Sequence, residues 1–427
     1  MKVLGIVTEY NPFHNGHLYH LLKSREVTSA DYTVAVMSGN FVQRGEPAIV
    51  NKWARSSMAL SSGVDLVIEL PVIYATASAE FFSWGAVKLL DSLGITDCIC
   101  FGSESGEMEP LNLIAEILAN EPEEYKKLLK TCLNMGLSFP AARAKALKEY
   151  DNSLAADQIL RYSNNILAIE YLKALKKLNS RIEPFTIKRK SNLYTEENLT
   201  GEFSSAKAIR KCVSEGVDNS ILLDNCLIKN TIPSESAEIL NTEFMNGRGP
   251  VLFNDFENII LASLRKNSLD WIKLYPYITE GLENRIKNAA KSSGSLQELI
   301  NNICSKRYTI TRVQRIITSF LLNITQQEFE RFNIYGGPQY IRVLGFNEKG
   351  TQLLSEINKN ACLPVITKTA DFTRTCNILL RRMLEIEALA TDIYVLGYCN
   401  PDFRTGGQEY TQNPVRMLNK GSSAVNK

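Results

Sequence analysis

Three histidines are all that this 427-residue chain contains, and they fall together at positions 14, 17 and 20. Imidazoles so spaced can donate hydrogen bonds to one bound anion, exchange protons, or ligate a metal ion. They follow Val3-Leu4-Gly5-Ile6-Val7-Thr8, a continuous apolar and β-branched stretch that reads as a buried parallel strand. Glu9-Tyr10-Asn11-Pro12-Phe13 then reads as a turn, punctuated by Asn-Pro. From Leu18 the apolar spacing is helical, with Leu21 and Leu22 on the same side and Lys23 and Arg25 opposite. The order is strand, tight turn, helix, with the histidines at the start of the helix.

A helix N-terminus carries unpaired N–H groups and a partial positive charge, and both favour an anion such as phosphate. Gly16 is expected to let a ligand approach the backbone. His14 and His17 can point at one phosphate chain and donate to oxygens whose charge rises during displacement at phosphorus. That is the logic of adenylylation. Two other readings compete: histidines that merely cap or half-bury themselves, and a metal site. Helix geometry counts against metal, since positions i and i+6 diverge around the axis and His14 falls outside the helix.

The elements that must hold this turn alternate. Tyr32–Met37, ended by Ser38-Gly39-Asn40, Asp65–Pro71 and Asp97–Gly102 read as further strands, with helical patterns over 51–62 and 79–93 between them. Alternation of this kind means a parallel sheet covered on both faces, with ligands beyond the carboxyl ends of its strands. His14, Gly39 and Gly102 all fall there. Later helical patterns dominate, apart from one strand candidate at Tyr340–Phe346. The fold expected is α/β: a Rossmann-like parallel-sheet domain over 1–215, then a mainly α-helical domain over 216–427. Polar residues 214–220 are read as the linker, and 405–427 as a mobile or docked terminus.

No run of 18 apolar residues is present, and Met1-Lys2-Val3 leads straight into the first strand, so neither membrane span nor signal peptide is expected and the protein is placed in the cytoplasm. Nine cysteines at irregular spacing, with no C-x-x-C pair, indicate neither a disulfide framework nor a zinc ribbon. The net charge of +2 is unevenly spread: residues 1–110 hold seven Lys or Arg against twelve Asp or Glu, the remainder 41 against 34. Basic surface therefore belongs to the later part. Lys306, Arg307 and Tyr308, with Arg312 and Arg315 at helical spacing, form a stripe that can track phosphates while Tyr308 stacks on an unpaired base. An exposed basic helix face has the same letters. Ser204 and Ser205 at a helix start, with Arg210 behind them, suit a triphosphate tail; an ordinary serine cap is the alternative. Arg44 and Lys52 are expected as anion contacts for acetate or phosphate, the alternative being that the charged pair of the 43–47 loop only stabilises that loop, and Arg55 shares the face of Lys52.

The series Gly5 to His17, Gly39 to Ala48, Lys52-Trp53-Ala54-Arg55 and Gly63 to Pro71, followed by Ser163-Asn164-Asn165, Ile187-Lys188-Arg189 and Lys306-Arg307-Tyr308-Thr309, resembles the HIGH-type nucleotidyltransferases. Within that superfamily it is similar to the bacterial tRNA(Met) cytidine acetate ligases. The resemblance implies that acetate attacks the α-phosphate of ATP, and that the acetyl group passes to N4 of the wobble cytidine of elongator tRNA(Met). It further implies that Val7, Thr8, Glu9, Tyr10, Asn11, Pro12, Phe13, His14, Asn15, Gly16, His17, Leu18, Tyr19 and His20 line ATP. Gly102, Asn164 (or its neighbour Asn165) and Arg189 would complete the site. Mg²⁺ is expected with the phosphates on charge grounds, although no carboxylate cluster is dedicated to it; no resident metal or protein partner is expected. A small-molecule adenylyltransferase acting on a coenzyme precursor, or a nucleotide-sensing RNA-binding module without catalysis, are the alternatives.

Overall fold

The computed structural model describes residues 1–189, 203–215, 230–279 and 281–417. The expected linker beyond residue 215 and the tail beyond 417 lie outside these residues. Five strands, β1 (Val3–Thr8), β2 (Tyr32–Ser38), β5 (Leu66–Leu70), β6 (Cys98–Ser103) and β7 (Glu183–Lys188), run parallel in the order β5-β2-β1-β6-β7. A short hairpin, β3 (Phe41–Val42) with β4 (Glu46–Pro47), leaves the end of β2.

The strands are apolar throughout because successive residues enter two different cores. Val34, Val36, Leu66 and Ile68 join the cluster beneath the helices Ala79–Ser92 and Ser163–Leu178, while Leu4, Ile6, Ala35 and Met37 join the one beneath Asn15–Thr28 and Lys52–Ser61. Strand order reverses between β1 and β6, and a crevice opens at their carboxyl ends.

The later chain returns to this sheet. β8 (Ile341–Asn347) pairs antiparallel with β5, with a register shift at Val67/Ile68, and carries β9 (Val365–Ile366) and β10 (Val415–Met417) on its other side. Strands thus come from both sides of the boundary expected at residue 215. From Ser234 to Ile334 the described chain is helical without a strand.

Charges fasten the return. Lys52 Nζ lies 2.6 Å from Glu69, 2.5 Å from Glu409 and 3.6 Å from Glu387, and Arg342 Nε lies 3.3 Å from Glu409. All five side chains are buried. Two cations stand against three carboxylates, and burial followed by the Glu387 charge holds the Glu69 carboxyl well above its ordinary range. A Cβ on Gly39 would come 2.6 Å from Glu69 Oε1, so glycine there serves this network rather than a ligand.

Candidate functional site

The turn after β1 is fixed by its own polar atoms and by Arg55. That guanidinium, fully buried, donates to the carbonyls of Glu9, Ser38 and Gly39 and so satisfies backbone acceptors at the ends of β1 and β2. Tyr10 adopts φ 48° and Asn11-Pro12 is cis. Asn11 accepts from the Ile49 amide at 2.9 Å through its side chain and from Arg210 at 2.9 Å through its carbonyl.

His14 is the N-cap of the helix Asn15–Thr28. Its Nδ1 accepts from the Gly16 amide at 3.0 Å, and His17 Nδ1 accepts from the His14 amide at 3.3 Å. An acceptor nitrogen carries no proton, so both rings hold theirs on Nε2. The two rings stack with centroids 3.8 Å apart. Burial, followed by the Arg189 and Arg210 charges, pushes His14 down to about 3; burial and then Arg189 push His20 down to about 4. His17 is lowered well below the usual range by burial and then by His14. The imidazoles are therefore neutral N–H donors at physiological pH. Gly16 is explained by the cap: a Cβ there would meet the His14 ring at 2.8 Å, so the missing side chain makes room for the imidazole.

Beyond the turn lies a cavity of about 230 Å³. Arg44, Lys188, Arg189 and Arg210 line it, and among the described residues its only carboxylate is Glu9. Burial raises Glu9, opposed by the Gln43 amide 2.8 Å away and by Arg210. Another part of the wall is apolar, formed by Phe82, Phe101, Leu167 and Tyr171. Such a cavity suits a ligand with a polyanionic part and a flat apolar part.

Most of the sequence-derived residues meet here. Val7, Thr8, Glu9, Tyr10, Asn11, His14, Gly16, His17, Tyr19, His20, Gly102, Asn164, Arg189, Ser205, Arg210 and Arg44 line the cavity. Asn164 and Asn165 are separated by geometry. Asn164 faces the cavity, accepting from Arg189 at 3.1 Å and donating to Glu104 at 2.6 Å, whereas buried Asn165 serves the amides of Glu104 and Ser105. A Cβ on Gly102 would press on Arg189 Cγ at 3.1 Å. Ser205 is also the expected cap, accepting from the Ala208 amide at 3.1 Å.

Other expected residues stand elsewhere. Pro12, Phe13, Asn15, Leu18 and Ser204 do not line the cavity; Phe13 is core, and Asn15 donates to the Asn230 carbonyl at 2.9 Å. Lys52 is consumed by its three carboxylates and cannot contact acetate. The stripe expected to bind RNA is also broken up. Lys306 and Arg307 are exposed, but Tyr308 is buried and covered by Arg312, whose guanidinium carbon lies 5.1 Å from the Tyr308 ring and which donates to the Tyr277 carbonyl at 2.7 Å. Arg315 packs 5.9 Å from the Tyr277 ring, and burial lowers its pKa. Tyr308 offers no face to a base. The apolar wall went unforeseen, although Asn164, Leu167 and Tyr171 follow helical spacing and so share one face.

A 3-2-1-4-5 parallel sheet with a neutral histidine pair capping the first helix above a cationic cavity defines a nucleotidyltransferase of the HIGH type. The HIGH Nucleotidyl Transferase family model matches residues 1–409. The tRNA(Met) cytidine acetate ligase of Acetivibrio thermocellus is 54% identical over 98% of this chain and 100% of its own length; that of a Thermoanaerobacter species is 52% identical over 94% and 96%. The crystal structure of Thermotoga maritima TmcAL without ligand superposes with TM-score 0.93 at 38% identity, covering 98% of this chain and 100% of that one. The same protein bound with alpha-thio ATP superposes with TM-score 0.91 over the same shares. The chain belongs to the tRNA(Met) cytidine acetate ligase family. Among the described residues no helix is long and apolar enough to cross a membrane.

Proposed function

We propose that this chain condenses acetate with ATP to acetyl-adenylate and passes the acetyl group to N4 of the wobble cytidine of elongator tRNA(Met), giving N4-acetylcytidine in the cytoplasm. In the first step an acetate oxygen bonds to the α-phosphorus and the bond to the β-phosphate oxygen breaks, releasing pyrophosphate. In the second, N4 bonds to the acetyl carbon, AMP leaves, and N4 loses a proton. The observation that carries this reading is the capped histidine pair. Two neutral Nε2–H groups, fixed in tautomer and set at a helix N-terminus, donate to phosphate oxygens as their charge grows. Arg44, Arg189 and Arg210 balance the triphosphate, and the Phe101 side of the cavity takes the adenine.

Mg²⁺ belongs to the substrate in this scheme. The cation arrives on the phosphates, whose charge it offsets. Residues 1–215 carry acetate activation, and residues 216–427 supply most of the surface for the tRNA, with Lys306 and Arg307 exposed on it. A coenzyme-precursor adenylyltransferase is not favoured, since the relatives matched over their whole length are tRNA ligases. The test is exchange of labelled pyrophosphate into ATP without RNA. The reading expects exchange only when acetate is present, and exchange indifferent to acetate would overturn it.

A further inference from the structure

Resting on that reading, we infer that the groove beside the nucleotide cavity, between the helices Ala206–Glu215 and Ile310–Leu321, is the channel through which a single strand of RNA delivers its unpaired base to the adenylate. Its volume is about 590 Å³. Two residues, Arg44 and Arg210, line both it and the nucleotide cavity, so a ligand lying in the groove ends at the site of chemistry.

Charge selects the occupant. Lys207 and Lys211 add to those two arginines along one wall, and Glu46, the carboxylate facing them, is already matched by Arg210 at 2.8 Å. Lys211 stands 3.9 Å from Glu215, an exposed pair of little strength. The opposite wall begins at Thr309, N-cap of a 12-residue helix, whose hydroxyl contacts that of Thr311 at 3.4 Å and caps no first-turn amide, so those amides add to the positive field. Half-buried Phe253 supplies a ring on the same groove. Cations along a groove with an aromatic face are what a phosphodiester strand with an unstacked base requires. Lys306 and Arg307, just before Thr309 in the chain, are exposed. RNA binding is thereby moved from the stripe anticipated along 306–315 to a groove built by distant segments.

The experiment uses the full chain with Lys211→Glu and Gln314→Glu, one on each wall. Both are expected to leave acetate-dependent pyrophosphate exchange at the wild-type rate and to raise KM for tRNA roughly fivefold or more. The Lys211 change should also flatten the salt dependence of tRNA binding, by about 0.7 in the log–log slope for each phosphate that is no longer neutralised. Unchanged KM and salt slope in both variants would overturn the assignment. So would a raised KM for pyrophosphate in the exchange assay, which would make the groove a pyrophosphate site. If the wild-type protein shows no acetate-dependent exchange, the proposed reaction fails on its own. Filter binding of tRNA to the same variants then still judges the groove.

Discussion

Replacing His14 by asparagine separates its two jobs. The Nδ1 atom caps the helix through the Gly16 amide at 3.0 Å, and Nε2–H is left to face the cavity. Asparagine accepts the same capping bond, a contribution of about 1 kcal/mol at an N-cap, but has no atom at the Nε2 position. Loss of one donor to a developing oxyanion costs about 10²–10³ in rate, or roughly 2.7–4 kcal/mol. His14→Asn should therefore keep its denaturation midpoint and lose two to three orders of magnitude in kcat of acetate-dependent pyrophosphate exchange, with KM for ATP little altered. His14→Gln does the reverse, since its amide reaches towards the Nε2 position while the cap is lost. It should be the more active and the less stable of the two. Wild-type exchange in His14→Asn, or equal losses in both variants, would refute the donor role.

The same histidine links stability to acidity. Its pKa is about 3 in the folded chain against an ordinary 6.5, so below pH 6.5 the unfolded chain takes up a proton that the folded one refuses. Stability from this source is constant above pH 6.5 and falls by about 1.4 kcal/mol per unit as pH drops towards 3, amounting to roughly 2 kcal/mol at pH 5. In urea titrations His14→Asn, matching wild type at pH 7, should become the more stable of the two by about that amount at pH 5; parallel pH curves would contradict it. Lys52→Met leaves three buried carboxylates with Arg342 as their remaining cation and should cost about 3–5 kcal/mol. Glu69→Gln, at a carboxyl already held towards its protonated form, should cost far less. Equal losses in those two variants would count against the raised Glu69 carboxyl. Tyr308→Ala should destabilise by about 3 kcal/mol through poorer packing, with KM for tRNA unchanged where the variant is folded; a raised KM would restore Tyr308 as a base platform.

The strand, turn and helix around His14 were legible because each signal is local: an apolar run, an Asn-Pro turn, then helical spacing. The catalytic reading of His14 and His17 followed from their place at a helix start. The reason for Gly16 did not, because the cap it accommodates depends on ring orientation, which spacing alone does not give. Lys52 looked like an anion contact since its partners Glu387 and Glu409 lie more than 300 positions away, and pairings across such separations leave no periodic trace. The same holds for β8, whose letters announced a strand but not that it would pair with β5. Tyr308 and Arg315 sit in a basic, helix-spaced pattern identical to that of a solvated face, and only packing against Tyr277 and Arg312 distinguishes the two.

Mass spectrometry of nucleosides from elongator tRNA(Met), after incubation with this protein, ATP and isotopically labelled acetate, tests the central claim most directly. A labelled acetyl group on the wobble cytidine, absent when ATP or acetate is withheld, is the result expected. Unmodified cytidine in the complete reaction, with pyrophosphate still being released, would contradict it.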